Sequence, residues 1–210
     1  REVANLSKCE MVVYSVWLLP PEEVISVLAG RIARISHSGG LPDFMPHVTL
    51  AGGFDLPSEH DAVQRLQRLQ GAGAVFCRFP SANVVYGKDP STGRIPWNQA
   101  AITLAEETEA LTQLAQRTNE AMIGSSNFHW ARPIGKPHLS IAYADNLSCF
   151  GRLRFNVSWG SHASQVLRDG FDATTVCLMQ TNRRQPDDSL TEYVKEWREI
   201  ARISLVANQS

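Results

Sequence analysis

Pro46-His47-Val48-Thr49-Leu50-Ala51 returns, class for class, as Pro137-His138-Leu139-Ser140-Ile141-Ala142: proline, histidine, aliphatic, hydroxyl, aliphatic, alanine. The copies are separated by 138 − 47 = 91 residues. In a β-strand, residues i and i+2 share a face. Each copy therefore points an imidazole and a hydroxyl the same way and turns Val48 and Leu50, or Leu139 and Ile141, toward a core. Two such strands facing each other give a cleft with two imidazoles and two hydroxyls. That set suits acid–base chemistry at phosphorus: one histidine takes a proton, the other gives one, and the hydroxyls hold phosphoryl oxygens.

The bare pattern His-x-Ser/Thr carries little information, since a chain of this composition holds about one match by chance. Requiring proline before the histidine and aliphatics on both sides of the hydroxyl cuts that to about a hundredth of a match. A third occurrence, His162-Ala163-Ser164, lacks both the proline and the flank and reads as a decoy. His37 and His60 have no partner at metal-ligand spacing.

Composition sets the frame around the motifs. The chain has 210 residues, 43% hydrophobic content and a formal net charge of −1. That suffices for a substantial core. The neutral balance opposes binding along a nucleic-acid backbone, which requires many cations. A small nucleotide or an RNA end remains compatible. No apolar run approaches a membrane span and no signal peptide is evident, so the expectation is a cytoplasmic monomer without membrane association. Residues 1–10 are polar and are expected to form a flexible N-terminus ahead of a single domain over 11–210. Cys9, Cys77, Cys149 and Cys177 show no metal-ligand spacing and read as reduced thiols.

Periodicity gives a mixed α and β order. Met11–Leu19 is β-branched and aromatic, a strand stopped by Pro20-Pro21. Glu22–Ile35 has helical spacing, with Pro21 suited to its start. The first motif strand ends at Gly52-Gly53, and Ser58 caps a helix reaching Gln70. Val75–Tyr86 and Asn98–Leu104 read as strands. Glu106–Met122 is the clearest amphipathic helix, with Leu111, Leu114, Ala115, Thr118 and Met122 on one face. After the second motif come a short helix over Ser161–Arg168 and strands over Phe171–Met179 and Trp197–Val206. A polar loop around Arg183-Arg184 separates those two strands. The fold class is α+β. Each motif strand follows a helix and a loop, which points to two lobes related by a pseudo-two-fold axis.

The motifs, the opening VVYSVWLLPP and the stretch KPHLSIAYAD resemble the two-histidine phosphoesterase superfamily. Within it they resemble the fungal and plant cyclic nucleotide phosphodiesterases. The similarity runs from about Met11 to Asp145 and is loose beyond. It implies a bilobal, duplicated fold with an antiparallel sheet and outer helices in each lobe, and an active-site groove between them. It implies hydrolysis without metal or cofactor. Nucleoside 2′,3′-cyclic phosphates open to 2′-phosphates, and ADP-ribose 1″,2″-cyclic phosphate, a by-product of tRNA splicing, opens to the 1″-phosphate. His47 and His138 are then catalytic, with His138 as base and His47 as acid. Thr49 and Ser140 bind the substrate phosphate. Trp130, beside the second motif, and Tyr143 are the candidates for stacking a base. If the strand runs straight, Tyr143 alternates with Ser140 and faces away from it. The rival readings are an RNA-end 2′,3′-cyclic phosphodiesterase, an RNA ligase-like enzyme, or a binding module for nucleotides or RNA ends.

Overall fold

The apolar run that opens the chain becomes β1 (Val13–Leu19), buried along its whole length at the middle of a sheet. The computed structural model describes residues 12–80, 85–86, 99–124, 136–144, 161–182 and 189–206. Among them the order is β1, α1 (Glu22–Gly39), β2 (Val48–Asp55), α2 (Glu59–Gln67), β3 (Val75–Cys77), β4 (Val85–Tyr86), β5 (Gln99–Leu104), α3 (Glu109–Ile123), β6 (His138–Ala144), α4 (Ser161–Asp169), β7 (Phe171–Ala173), β8 (Thr175–Gln180), α5 (Leu190–Lys195) and β9 (Arg198–Ser204). The architecture is α+β. Seven antiparallel strands run β4-β5-β6-β2-β1-β8-β9, and β3 pairs with β7 separately.

The two motif strands are neighbours in this sheet. They join through one pair, Val48 opposite Leu139. These are equivalent positions of the two copies, so the repeat meets itself across the seam. Val48, Leu50, Leu139 and Ile141 are all fully buried in one apolar core with Leu28 and Ile32 of α1 and Leu111 and Leu114 of α3. The helices cross over: α1 packs on β6 and α3 on β2. Each helix thus supports the motif of the other half, and burial of both helical faces ties the halves together.

Local chemistry places most element ends. Ser58 accepts from the Asp61 N–H and starts α2 as expected. Thr108 accepts from the Leu111 N–H, so α3 begins at Glu109 rather than Glu106. The first helix runs past Ile35 to Gly39 because Gly40, at φ 63°, supplies the left-handed cap.

Three expectations need correction. Val75–Tyr86 is not one strand. The Phe79 N–H bonds to the Leu167 carbonyl and Pro80 has no N–H to offer, so the chain leaves β3 there. Phe171–Met179 divides at Thr174, whose carbonyl accepts the Leu205 N–H as the chain passes from the small sheet to the large one. The stretch before β9 contains a helix, α5, started by a capping box in which Ser189 and Glu192 bond each other's backbone N–H.

Candidate active site

Both histidines are held by the same local device. Proline at Pro46 and Pro137 fixes its own φ and biases the preceding residue to extended backbone. The carbonyl of that preceding residue then meets the imidazole. His47 Nδ1–H donates to the Met45 carbonyl at 2.6 Å. His138 Nδ1–H donates to the Lys136 carbonyl at 2.8 Å. A carbonyl can only accept, so both rings carry the proton on Nδ1 and keep a free lone pair on Nε2. The motif proline is thus part of the site.

The seam brings the copies together. One step either side of the Val48–Leu139 pair, an antiparallel register sets His47 beside Ser140 and Thr49 beside His138. Each imidazole neighbours the hydroxyl of the other copy. Both rings are buried, His47 at 2% and His138 at 8% exposure. Burial drives the His47 pKa down to about 3, opposed by its bond to Met45 and reinforced by the nearby His138 ring. Burial likewise lowers His138, against its bond to Lys136. The indole of Trp17 lies flat on His47, centroids 3.6 Å apart and planes 5° from parallel.

A bulge alters the expected strand phase. Trp17 pairs with Thr49 but Val16 pairs with Ala51, so Leu50 is an extra residue in β2. Ile102 pairs with Ser140 but Ala101 pairs with Ala142, so Ile141 is an extra residue in β6. Leu50 and Ile141 occupy the same motif position. Asn119 of α3 donates to the displaced Leu50 carbonyl at 3.4 Å. Such a bulge flips the alternation beyond it. Tyr143 therefore does not face away from Ser140: its hydroxyl donates to Ser140 Oγ at 2.9 Å. Burial pushes the Tyr143 pKa up to about 12, so the phenol stays protonated and remains a donor.

Aromatic residues that carry no motif of their own complete this surface. The Tyr143 ring packs edge-on against Phe44 at 4.7 Å and Trp197 at 5.5 Å. Trp197 also meets Trp17 at 5.3 Å and Tyr193 of α5 at 5.6 Å. Trp17 sits in a strand where every residue is buried, so no alternation marks it as facing the groove. Phe44 lies in a loop and Trp197 between two elements, and neither position carries a periodic signal.

The other candidates are placed as follows. Trp130, Cys9, Cys149, Arg183, Arg184 and residues 1–10 lie outside the described residues. His162 is exposed on α4. His60 is exposed and bonds Gln64. Cys77 and Cys177 are free and buried, each pushed up to about 12 chiefly by burial. Among the described residues no group of three or more His, Cys, Asp or Glu side chains is arranged to hold a metal ion. No helix among them is long and apolar enough to cross a membrane.

Comparison with known proteins bears on this surface. The model of the family described as cyclic phosphodiesterase-like protein matches residues 11–156, more than two thirds of the chain, and both motifs fall inside the match. Comparison with curated proteins found no match. Among solved structures, Escherichia coli LigT complexed with NADP+ is similar over 94% of this chain and 100% of its own, at 14% identity and a TM-score of 0.48. Kluyveromyces marxianus Usb1 is similar over 79% of this chain and 92% of its own, at 12% identity and a TM-score of 0.45. The match across both histidine motifs establishes that the chain belongs to the cyclic phosphodiesterase-like family of two-histidine phosphoesterases.

Proposed function

We propose that the protein hydrolyses five-membered cyclic phosphodiesters, opening nucleoside 2′,3′-cyclic phosphates to 2′-phosphates and ADP-ribose 1″,2″-cyclic phosphate to the 1″-phosphate. The observation that carries this reading is the duplicated histidine geometry. Two buried imidazoles are each bonded through Nδ1–H to the carbonyl two residues back, which leaves Nε2 free, and the register of their neighbouring strands runs each histidine alongside the hydroxyl residue of the opposite copy. A net charge of −1 favours a small ligand over a long RNA.

The chemistry follows from the geometry. A strained cyclic diester opens by in-line attack of water on phosphorus. His138 Nε2 takes the proton of the attacking water. His47 Nε2 gives its proton to the departing ring oxygen, and the monoester forms. Thr49 and Ser140 donate to the non-bridging oxygens as charge gathers there. Tyr143 occupies one lone pair of Ser140 Oγ, so the Ser140 hydroxyl hydrogen is free to point at the phosphate. Burial keeps both rings neutral before substrate arrives. The anionic diester offsets that burial, and His47 Nε2 takes up from solvent the one proton that the leaving oxygen needs. Trp17 lies against His47 and stabilises the imidazolium there through its π face, which favours His47 as the acid. Each turnover leaves the proton on His138, and exchange with solvent restores the starting state.

The test is a product assay with ADP-ribose 1″,2″-cyclic phosphate and the four nucleoside 2′,3′-cyclic phosphates, resolving 2′- from 3′-phosphates. Formation of 2′-phosphates is expected. No turnover of any cyclic diester overturns the reading, and 3′-phosphate products reverse the orientation of the bound ring.

A further inference from the structure

The two halves of the groove match, class for class, along the six-residue motif and diverge at the next position. Counting from the histidines, Tyr143 in the second copy corresponds to Gly52 in the first. The bulges put both on the groove face: Gly52 shares a face with Thr49, since their partners Ser15 and Trp17 alternate on β1, and Tyr143 shares one with Ser140. At one end, then, a phenol stands on the phosphate-side hydroxyl, wedged between Phe44 and Trp197. At the other end Gly52 contributes no side chain of its own.

The floor of the vacant end is polar. The three atoms nearest to a Cβ built on Gly52 would be Ser15 Oγ at 3.2 Å, Thr49 Cγ2 at 3.5 Å and Ser15 Cβ at 3.8 Å. Those atoms lie beneath or beside it, and Gly52 is exposed. Ser15 Oγ and Thr181 Oγ1 bond each other at 3.2 Å and are buried. Two hydroxyls carry two O–H donors between them, and their mutual bond uses one. When Thr181 donates to Ser15, the Ser15 O–H is left to seek an acceptor next to Gly52.

We propose that the space over Gly52, floored by the Ser15–Thr181 hydroxyl pair, is the subsite for the sugar-and-base part of the cyclic phosphate. This rests on the phosphoesterase reading above. A nucleoside is bulky and rich in oxygen acceptors. The Tyr143 end is filled, whereas the Gly52 end offers room and a hydrogen-bond donor. The backbone at Gly52 is not in the left-handed region, so side chains can be installed there.

The experiment compares adenosine 2′,3′-cyclic phosphate with ethylene phosphate, the same five-membered ring without a nucleoside. Gly52→Ala and Gly52→Tyr are made in the Ser15→Ala background, which removes the 3.2 Å contact. The reading is the ratio of kcat/KM for the two substrates. It should fall severalfold in Ser15→Ala, and at least a further tenfold with Gly52→Tyr, with Gly52→Ala between. A ratio unmoved along the series overturns the subsite. Should Gly52→Tyr not fold, the Gly52→Ala step decides. Should the wild type hydrolyse neither substrate, the phosphoesterase reading fails, and calorimetry tests the subsite alone. The wild type must then bind adenosine 2′-phosphate more tightly than inorganic phosphate, and Gly52→Tyr must erase that preference; absence of either result removes the proposal.

Discussion

Acidification should destabilise this protein through its own buried motif histidines. Burial holds His47 at a pKa of about 3, while a histidine in the unfolded chain titrates near 6.5. Between those values the unfolded chain binds more protons than the folded one, so stability falls as pH falls through that window. A tenfold difference in proton affinity between the two states corresponds to about 1.4 kcal/mol, which makes the full cost, reached below pH 3, about 5 kcal/mol. At pH 5, about 1.5 below the pKa of the unfolded chain, His47 alone removes about 2 kcal/mol. His138 is lowered too and acts in the same direction. A domain of ordinary stability, about 5–15 kcal/mol, shows such a loss clearly. The assay is urea unfolding at pH 7.5 and pH 5 of the wild type and His47→Gln, which keeps a polar side chain but cannot titrate. The variant starts from a lower stability because it loses the stack on Trp17. What matters is the change between the two pH values, which should be about 2 kcal/mol smaller in His47→Gln. Equal losses in the two proteins would refute the claim that the ring is buried neutral.

The same geometry fixes other outcomes. His47→Ala and His138→Ala should each lower kcat by roughly a hundredfold to ten-thousandfold, and the double variant should be far from additive, because both rings serve one step; near-normal turnover in either single variant contradicts the mechanism. Tyr143→Phe keeps the ring among Phe44 and Trp197 but removes the bond to Ser140. Its loss in kcat/KM should vanish in a Ser140→Ala background, and independent, additive losses would show that the phenol acts elsewhere. Because both free histidines are lowered, the bell of kcat/KM against pH should centre below about 6.5, while that of kcat, reporting the complex with the anion bound, should lie higher. Coincident bells count against it. Activity should survive exhaustive chelation, and loss reversed by one divalent ion would assign the protein a metal-dependent mechanism.

Much of the site is legible because the motif states its own geometry. Proline, histidine and hydroxyl in fixed spacing encode the loop carbonyl, the tautomer and the shared face. The aliphatics between them encode burial. The bulge is not legible: Leu50 and Ile141 look like ordinary alternating core residues, and only the pairing of β1 with β2 and of β5 with β6 reveals them as extra. Without it, Tyr143 falls on the wrong side. The aromatic residues are hidden for a different reason. Trp17, Phe44, Tyr143 and Trp197 come from separate parts of the chain and meet only because β1 and β6 flank β2 while β9 closes the far edge. The capping box before α5 is readable in Ser189-Leu190-Thr191-Glu192, but the polar residues ahead of it mask so short a helix.

A duplicated site has a difficulty built into it. Two identical imidazoles in mirrored settings would share a proton equally, and acid–base catalysis needs one ring charged and the other not. The sequence keeps the parts that must be equal: the prolines, the carbonyl bonds, the bulges and the buried aliphatics on either side of the seam. Among the described residues it breaks the symmetry in two places. Trp17 lies flat on His47, and no such ring contact is made by His138. Tyr143 fills one end of the groove, and Gly52 leaves the other open. The first difference bears on which ring holds the proton, the second on which way round a bulky ligand can lie. A catalytic direction requires both. A chain that repeated the six-residue motif faithfully but carried tyrosine at both distal positions would keep its pair of imidazoles and lose the difference between the two ends.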